Sequence, residues 1–473
     1  MIGLVSNASG LVVSEALRAA IPLGIGLASA AYLTAKAVSS KPNTSIPMVS
    51  LRAGDSTHDN EYNDDQDEFM ARCEEECGPV FRVLYMNMDM TVVSGPLIRE
   101  VFMNETFSAG DSIEELVGLR SFFTSIIKSN RDVDSRTIHE IVRDKVTLNL
   151  EMFTPRIVSQ LVNNLDGKLE QLGTVVSDEN EKATRILVES PLKMLQEMVA
   201  GAMASVFVGK EIAENREVIE TFIYATMDFA KAFGSGQPRK ATLWGKLSNK
   251  TRYNAHNPLN PLHKHLRVLV NAAEPVIIER RRREAEAIEK NIEYDRPDDV
   301  LQKLLDSTDK YGFVDIEDVC GHILILILAS VHTTTDSSTN LLYYLAAFPQ
   351  YIEQLNEERK EVLDLQQRTR EEERQALINK NEVIPPELDP SHDRDMTSAA
   401  VKKMVHMDSF VREVFRHACP GRFLAIQELK TIGMLFVERF SSLEIQDPSY
   451  TKKALRSRMG TPMSTGLYFT KRT

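Results

Sequence analysis

Long stretches of the chain place apolar residues three and four positions apart, which is the spacing of one helix face. The pattern predicts helices in residues 137–153, 191–209, 261–290 and 349–380. Residues 80–95 instead alternate apolar and polar positions and contain β-branched and aromatic residues, so they predict two short strands. The pattern therefore predicts a mainly α fold with a small, depleted β-sheet.

Residues 318–348 form a long apolar run that is interrupted at its centre by histidine, threonine and serine. Local propensity favours a strand at residues 322–328. Because no turn signal occurs before Pro349, one long buried helix is the better prediction. The central hydroxyls can bond to carbonyls one turn earlier, which is a structural role. Alternatively, they widen the helix groove over a reactive centre.

The N-terminal region combines an apolar run with an acidic segment. Residues 19–35 carry no charge and are followed by positive charges, a pattern typical of a single membrane anchor with the body on the cytoplasmic side. A buried or interfacial helix is the alternative. We predict an anchor at 1–40, an acidic linker at 41–68 and the functional domain at 69–473.

Composition excludes several classes of protein. The 473 residues are 42% hydrophobic and 26% charged, as in a globular protein, and the net charge of −12 argues against a nucleic-acid partner. The four cysteines lack the C-x-x-C spacing of a zinc site and do not indicate a disulfide framework. Candidate functional residues must therefore be sought one by one and not as a cysteine cluster.

Cys419 is the cysteine with unusual surroundings. It is followed by Pro420, Gly421 and then a segment that predicts an amphipathic helix. A helix N-terminus stabilises a thiolate over a thiol, and a thiolate is a good axial ligand for haem iron. The alternative is a buried or redox-inactive thiol.

Three motifs together carry a resemblance to a known family. They are "ASVHTT" at 329–334, "DSFVREVFR" at 408–416 and "RHACPGRFLA" at 416–425. These stretches resemble, in order, the oxygen-activation stretch, the Glu-x-x-Arg helix and the second half of the haem-binding loop of cytochromes P450. The chain thus resembles a membrane-anchored fungal haem-thiolate monooxygenase.

The resemblance implies roles for individual residues at the haem. Cys419 would be the axial iron ligand and His417 a donor to a haem propionate. Thr333 would be the alcohol that helps to deliver protons to bound dioxygen. His332 replaces the acidic residue that usually precedes this alcohol, and histidine can also relay a proton.

Two further pairs follow from the resemblance. Glu413 and Arg416 fall at the structural Glu-x-x-Arg pair. His139 and Arg143 have the spacing of the family's aromatic-x-x-x-Arg motif, although the aromatic residue is absent, and are candidates for a second propionate clamp.

The same resemblance implies an activity, a cofactor and partners. A family member holds heme b and inserts one oxygen atom of O₂ into an apolar organic substrate. It takes electrons from NADPH through a membrane reductase. A single N-terminal pass in the endoplasmic reticulum, with the body in the cytoplasm, would fit this implied role.

The chain departs from the family between the last two motifs. The residues that normally separate them are missing, and the family's Phe-x-x-Gly turn would fall on Arg412 and Phe415. Three residue steps from Arg416 to Cys419 span only ~5 Å along a helix or ~11 Å when extended. An internal deletion near 416 is therefore predicted. The alternatives are a truncated relative that binds haem poorly and a membrane-tethered helical scaffold.

Overall fold

A computed structural model of the protein describes most of the chain. The described residues are 45–85, 88–104, 127, 135–176, 183–232, 257, 260–383, 396–414, 421–447 and 465–472. The anchor predicted at residues 1–40 lies outside them. The chain divides into two compact units, residues 1–107 and residues 108–473.

The first unit contains helices around a two-stranded hairpin, in agreement with the strand prediction. Its elements in chain order are helix α1 Asp59–Asp64, helix α2 Gln66–Cys77, strand β1 Val80–Tyr85, strand β2 Met88–Val93 and helix α3 Leu97–Met103. The strands are antiparallel, with Val80 opposite Val93. Phe69 and Phe81 belong to a small separate core beneath the hairpin.

Residues 45–68 of the predicted linker are described, and they contain helix α1 and the start of helix α2. Within this segment His58 is buried, and its ring nitrogens contact the carbonyl oxygens of Val49 and Leu84 at 3.2 and 3.3 Å. Glu61 is also buried and accepts two hydrogen bonds of 2.6 Å from Arg72. Because these polar groups find partners, a segment with few apolar residues is still folded.

The first described helix of the second unit is broken where the sequence predicts one continuous helix over 137–153. Helix α4 Ser135–Ile141 is followed by a π turn at Val142–Val146, a 3₁₀ turn at Thr147–Asn149 and helix α5 Leu150–Leu172. The Asn149 amide donates 3.1 Å hydrogen bonds to the carbonyls of residues 144 and 145. This side chain therefore satisfies carbonyls that the irregular turns leave free.

The predicted helices at 191–209, 261–290 and 349–380 are confirmed. They correspond to α6 Pro191–Phe207, α9 Pro261–Lys290 and α13 Gln350–Asn379. Ser190 and Asn260 cap the first two, and each is followed by a proline, the residue favoured at the first helical position. The intervening helices are α7 Lys210–Ala213, α8 Arg216–Ala232, α10 Val300–Leu305 and α11 Thr308–Tyr311.

Helix α12, Ile316–Ala347, is the long central helix that the sequence predicts, and it packs against α6, α8 and α9. Among the described residues it is the helix with the length and hydropathy to cross a bilayer, but 67% of its apolar window is buried inside the protein. That burial is typical of a core helix.

The C-terminal part packs three helices and a sheet onto this core. The helices are α14 Ser398–Lys403, α15 Val405–Val414 and α16 Arg422–Arg439. An antiparallel sheet has the order β3-β4-β6-β5, with strands β3 Gly173–Val175, β4 Arg185–Val188, β5 Phe440–Ile445 and β6 Leu467–Lys471. The mainly α fold with a small sheet is thereby confirmed.

Candidate functional site

The centre of helix α12 is open on one side. Residues 321–328 are buried, whereas Ala329 and Thr333, one turn apart, are exposed, and the side chain of His332 is 44% exposed. Thr333 donates hydrogen bonds to the carbonyl oxygens of Ala329 and Ser330 at 2.9 and 3.1 Å. The small side chains at 329 and 333 are thus accessible at the centre of a helix that is otherwise mostly core.

The buried hydroxyls of the same stretch bond to their own helix. Thr335, Ser338 and Thr339 each donate to the carbonyl four residues earlier, at 2.7, 2.7 and 2.8 Å. This is the structural role considered from the sequence, and it allows polar side chains to lie in the core. The open face at Ala329 and Thr333 is a separate feature of the helix.

Thr334 connects the centre of α12 to helix α16. Its hydroxyl donates to a carboxyl oxygen of Glu428 at 3.4 Å, and both side chains are buried. Burial raises the pKa of the Glu428 carboxyl to about 8, although the hydrogen bond from Thr334 acts in the opposite direction. Glu428 therefore holds a proton at neutral pH. It contacts Thr334, the residue that follows Thr333 on α12.

His332 has an acidic neighbour one helical turn later. Its Nε2 lies 3.4 Å from Oδ2 of Asp336, whose side chain is only 19% exposed. Burial raises the pKa of Asp336 to about 6, and the nearby His332 acts to lower it. The polar centre of α12 thus contains a histidine–carboxylate pair beside the exposed Thr333.

Helix α16 is held by polar contacts on several sides. Gln427 accepts a hydrogen bond from Thr154 of α5 at 2.6 Å and donates one to Ser398 of α14 at 2.7 Å. Lys430 is buried and lies 3.5 Å from Asp408 of α15. These contacts correct the prediction of an amphipathic helix, because polar residues of α16 are buried with partners on neighbouring helices.

The sequence-predicted haem loop precedes α16. The helix begins at Arg422, three residues after Cys419, and Phe423 in its first turn is 48% exposed. Cys419, His417 and Arg416 lie outside the described residues. The axial ligand and its propionate donor therefore remain predictions.

Helices α15 and α16 lie against each other on either side of this loop. Besides the ion pair from Lys430, the end of the Met407 side chain packs against Gly433, where an added Cβ would meet it at 2.8 Å. Helix α15 ends at Val414 and includes Glu413, whose side chain is not among those described. The structural pair of Glu413 with Arg416 also remains a prediction.

The predicted second propionate clamp lies at the end of α4 and in the π turn. His139 is exposed, and the side chain of Arg143 is 66% exposed and bonds to the neighbouring Asp144 at 2.6 Å. Asp144 also pairs with Lys310 at 2.6 Å, which ties the π turn to the segment just before α12. Both clamp residues are accessible, and their role at a haem stays a prediction.

The described face of α12 at Ala329 and Thr333 fits one side of a haem. A planar macrocycle needs an accessible surface without large side chains, and Ala329 and Thr333 provide one on an otherwise buried helix. The contact of Thr334 with Glu428 fixes this stretch to the helix that follows Cys419. The described part of the chain thus supplies the helix face, whereas the predicted thiolate lies outside it.

Two residues of this site were not predicted from the sequence, Glu428 and Asp336. Glu428 lies within the run "LAIQELKTIGMLF", where a lone acid among apolar residues is the available signal. Asp336 lies four residues after His332, the spacing at which helical side chains meet. Their burial depends on neighbouring helices and could not be read from the chain.

Comparison with known proteins identifies relatives of this chain by sequence. Residues 57–384 match the sequence profile of a family described as cytochrome P450. The chain is 26% identical to a cytochrome P450 monooxygenase of Emericella nidulans over 60% of this chain and 49% of that protein.

Two further relatives give the same result. The chain is 25% identical to cytochrome P450 monooxygenase paxP of Penicillium paxilli, over 61% of this chain and 48% of the relative. It is 26% identical to cytochrome P450 monooxygenase AtmP of Aspergillus flavus, over 60% and 50% respectively. The chain therefore spans about half the length of the curated relatives that it matches.

Proposed function

The chain belongs to the cytochrome P450 family, and from this premise we propose that it is a haem-thiolate monooxygenase. It would insert one oxygen atom of O₂ into an apolar organic substrate. The observation that carries the proposal is the open face at Ala329 and Thr333, on a buried helix joined by Thr334 and Glu428 to the helix after Cys419. The monooxygenase names of the matched relatives support the same reaction class.

Haem would be held by residues on both sides of this contact. Cys419 would supply the axial thiolate, and His417 with Arg143 and His139 would bind the propionates. When bound, a cysteinate-ligated haem supplies the electron density that favours O–O cleavage. The chain's own contribution is then to orient the substrate, limit water and deliver protons.

Proton delivery is the task of the polar centre of α12. The Thr333 hydroxyl stands on the open face, and its donation to the Ala329 carbonyl leaves its oxygen free to accept a proton or a hydrogen bond. His332 would bring protons from solvent, since its side chain is partly exposed and an imidazole can both donate and accept a proton. Buried Glu428 keeps charge away from the helix contact at neutral pH because it stays protonated.

Electrons would come from NADPH through a membrane-bound reductase. The uncharged run in residues 19–35 supports a single N-terminal anchor, which would keep the body on the cytoplasmic side of the endoplasmic reticulum. A shared membrane would hold the two proteins close together, which raises their effective concentration.

A second candidate, a catalytically impaired relative, rests on the short connection between α15 and α16. Helix α15 ends at Val414 and α16 begins at Arg422, and the intervening residues include both Arg416 and Cys419. If so few residues cannot place Cys419 beneath an iron, haem would bind weakly or through another ligand. A membrane-tethered scaffold without cofactor is the further alternative.

The carbon monoxide spectrum of the reduced, purified protein separates these candidates. A thiolate-type Soret band is expected for the monooxygenase. A nitrogen-ligated type of spectrum would instead indicate the impaired relative. Protein that contains no haem after expression with a haem precursor would contradict both and favour the scaffold.

A further inference from the structure

Asp336 lies one helical turn after His332 on α12, and the mechanism proposed above assigns it no role. We propose that Asp336 is the positioning residue of His332: it holds the imidazole beside Thr333 and balances its positive charge. The proposal deepens the proposed function, because it assigns the second member of the proton-delivery pair. It is carried by a 3.4 Å approach of His332 Nε2 to Asp336 Oδ2 and by the burial of the carboxylate.

The carboxylate of Asp336 has few means of stabilisation apart from His332. Its Oδ1 is buried and makes no hydrogen bond with the part of the chain that the structure describes. The neighbouring hydroxyls of Thr335, Ser338 and Thr339 are used on backbone carbonyls of α12. Because a buried charge without partners is costly, the ionised carboxylate is stabilised by the nearby imidazole of His332.

The charges around Asp336 support its pairing with His332. Among the described residues, burial is the larger effect and raises the pKa of Asp336, whereas His332 acts to lower it. On the facing helix α16, the carboxyl of Glu428 contacts Thr334 and is itself protonated at neutral pH. That carboxyl therefore adds no negative charge at its contact with α12 at neutral pH.

The pair differs from the ordinary ion pairs on helix surfaces of this protein. Arg216 and Glu220 have the same four-residue spacing, but their side chains are 91% and 48% exposed, and such pairs contribute little. Asp336 is 19% exposed, and its partner lies next to the exposed Thr333. Burial of one member and the position beside the open face indicate a role beyond helix stability.

The pairing can be measured without catalytic activity, by carboxyl-carbon NMR of the full-length protein labelled at aspartate. Asp336→Asn identifies the Asp336 signal by its loss. We expect that signal to titrate near pH 6 and His332→Gln to move its midpoint to higher pH, since the substitution removes a positive charge. His406→Gln, which changes an exposed histidine of α15, is the matched control and should leave the midpoint in place. An Asp336 midpoint that His332→Gln does not move would overturn the proposal.

The positioning role is then tested by the product formed per O₂ consumed, measured across pH. Asp336→Asn and His332→Gln should lower this ratio by the same factor and alter its pH profile alike, and the double variant should be no worse than either. Asp336→Glu should restore part of the ratio, and Ser337→Ala should leave it unchanged. Unchanged coupling in Asp336→Asn, or losses that multiply in the double variant, would overturn the role. Failure of the proposed function is distinct, because it would appear as a missing thiolate spectrum in the unmodified protein.

Discussion

Replacement of Glu428 by glutamine should stabilise the protein at neutral and alkaline pH. The side chain is 1% exposed, and burial raises its pKa to about 8, whereas a glutamate in an unfolded chain has a pKa of about 4.3. The folded state therefore binds a proton that the unfolded state has lost between these values. In this pH range, stability falls as pH rises, and the cost reaches about 3–4 kcal/mol at pH 7.

Glutamine has the same shape, accepts the hydrogen bond from Thr334 and never ionises. The variant should gain up to about 3 kcal/mol over the parent at pH 7, and the two should differ by only about 1 kcal/mol at pH 5. The assay is the thermal unfolding midpoint of both proteins at pH 5, 7 and 8.5. Glu151→Gln, which alters an 86% exposed glutamate of α5, serves as the control and should show no such trend. A midpoint difference that is the same at all three pH values would refute the assignment of a buried, protonated Glu428.

Three further predictions concern oxygen chemistry, the membrane and the cysteine loop. Thr333→Ala should reduce the product formed per O₂ consumed, because the exposed hydroxyl is lost. Thr335→Ala removes a buried hydroxyl of the same helix and should not reduce this ratio. An equal ratio in both variants would show that Thr333 has only a structural role in the helix. Deletion of residues 1–40 should move the protein from the membrane to the soluble fraction, and persistent membrane binding would point to a second attachment surface. Insertion of a family-like segment between Arg416 and His417 should raise the haem bound per protein, and equal haem content with and without it would show that the short connection is tolerated.

The long helices could be predicted because their signals are local. The apolar spacing in residues 261–290 and 316–347, with proline or polar residues at the ends, depends only on neighbours in sequence. Local patterns carry no signal for the contacts at residues 45–68, where His58 and Glu61 are buried with partners at Leu84 and Arg72. An acidic composition indicates disorder only when such partners are absent.

The site shows the same contrast between local sequence signals and tertiary contacts. The polar stretch around Thr333 and the turn at Cys419 were found through motifs, and the structure shows that the stretch is open at Ala329 and Thr333. Glu428 was missed because its burial arises from the packing of α16 against α12. Sequence reasoning thus found candidate chemistry, but not the carboxyls whose pKa values depend on tertiary contacts.

The central claim is that Cys419 binds haem iron as a thiolate, and one measurement tests it directly. Haem content and the reduced carbon monoxide spectrum should be recorded for the full chain, for Cys419→Ala and for Cys77→Ala, which alters a half-buried cysteine of α2. We predict a thiolate-type Soret band in the full chain and in Cys77→Ala, and its complete loss in Cys419→Ala. A thiolate band that persists in Cys419→Ala, or its absence from the unmodified chain, would contradict the account.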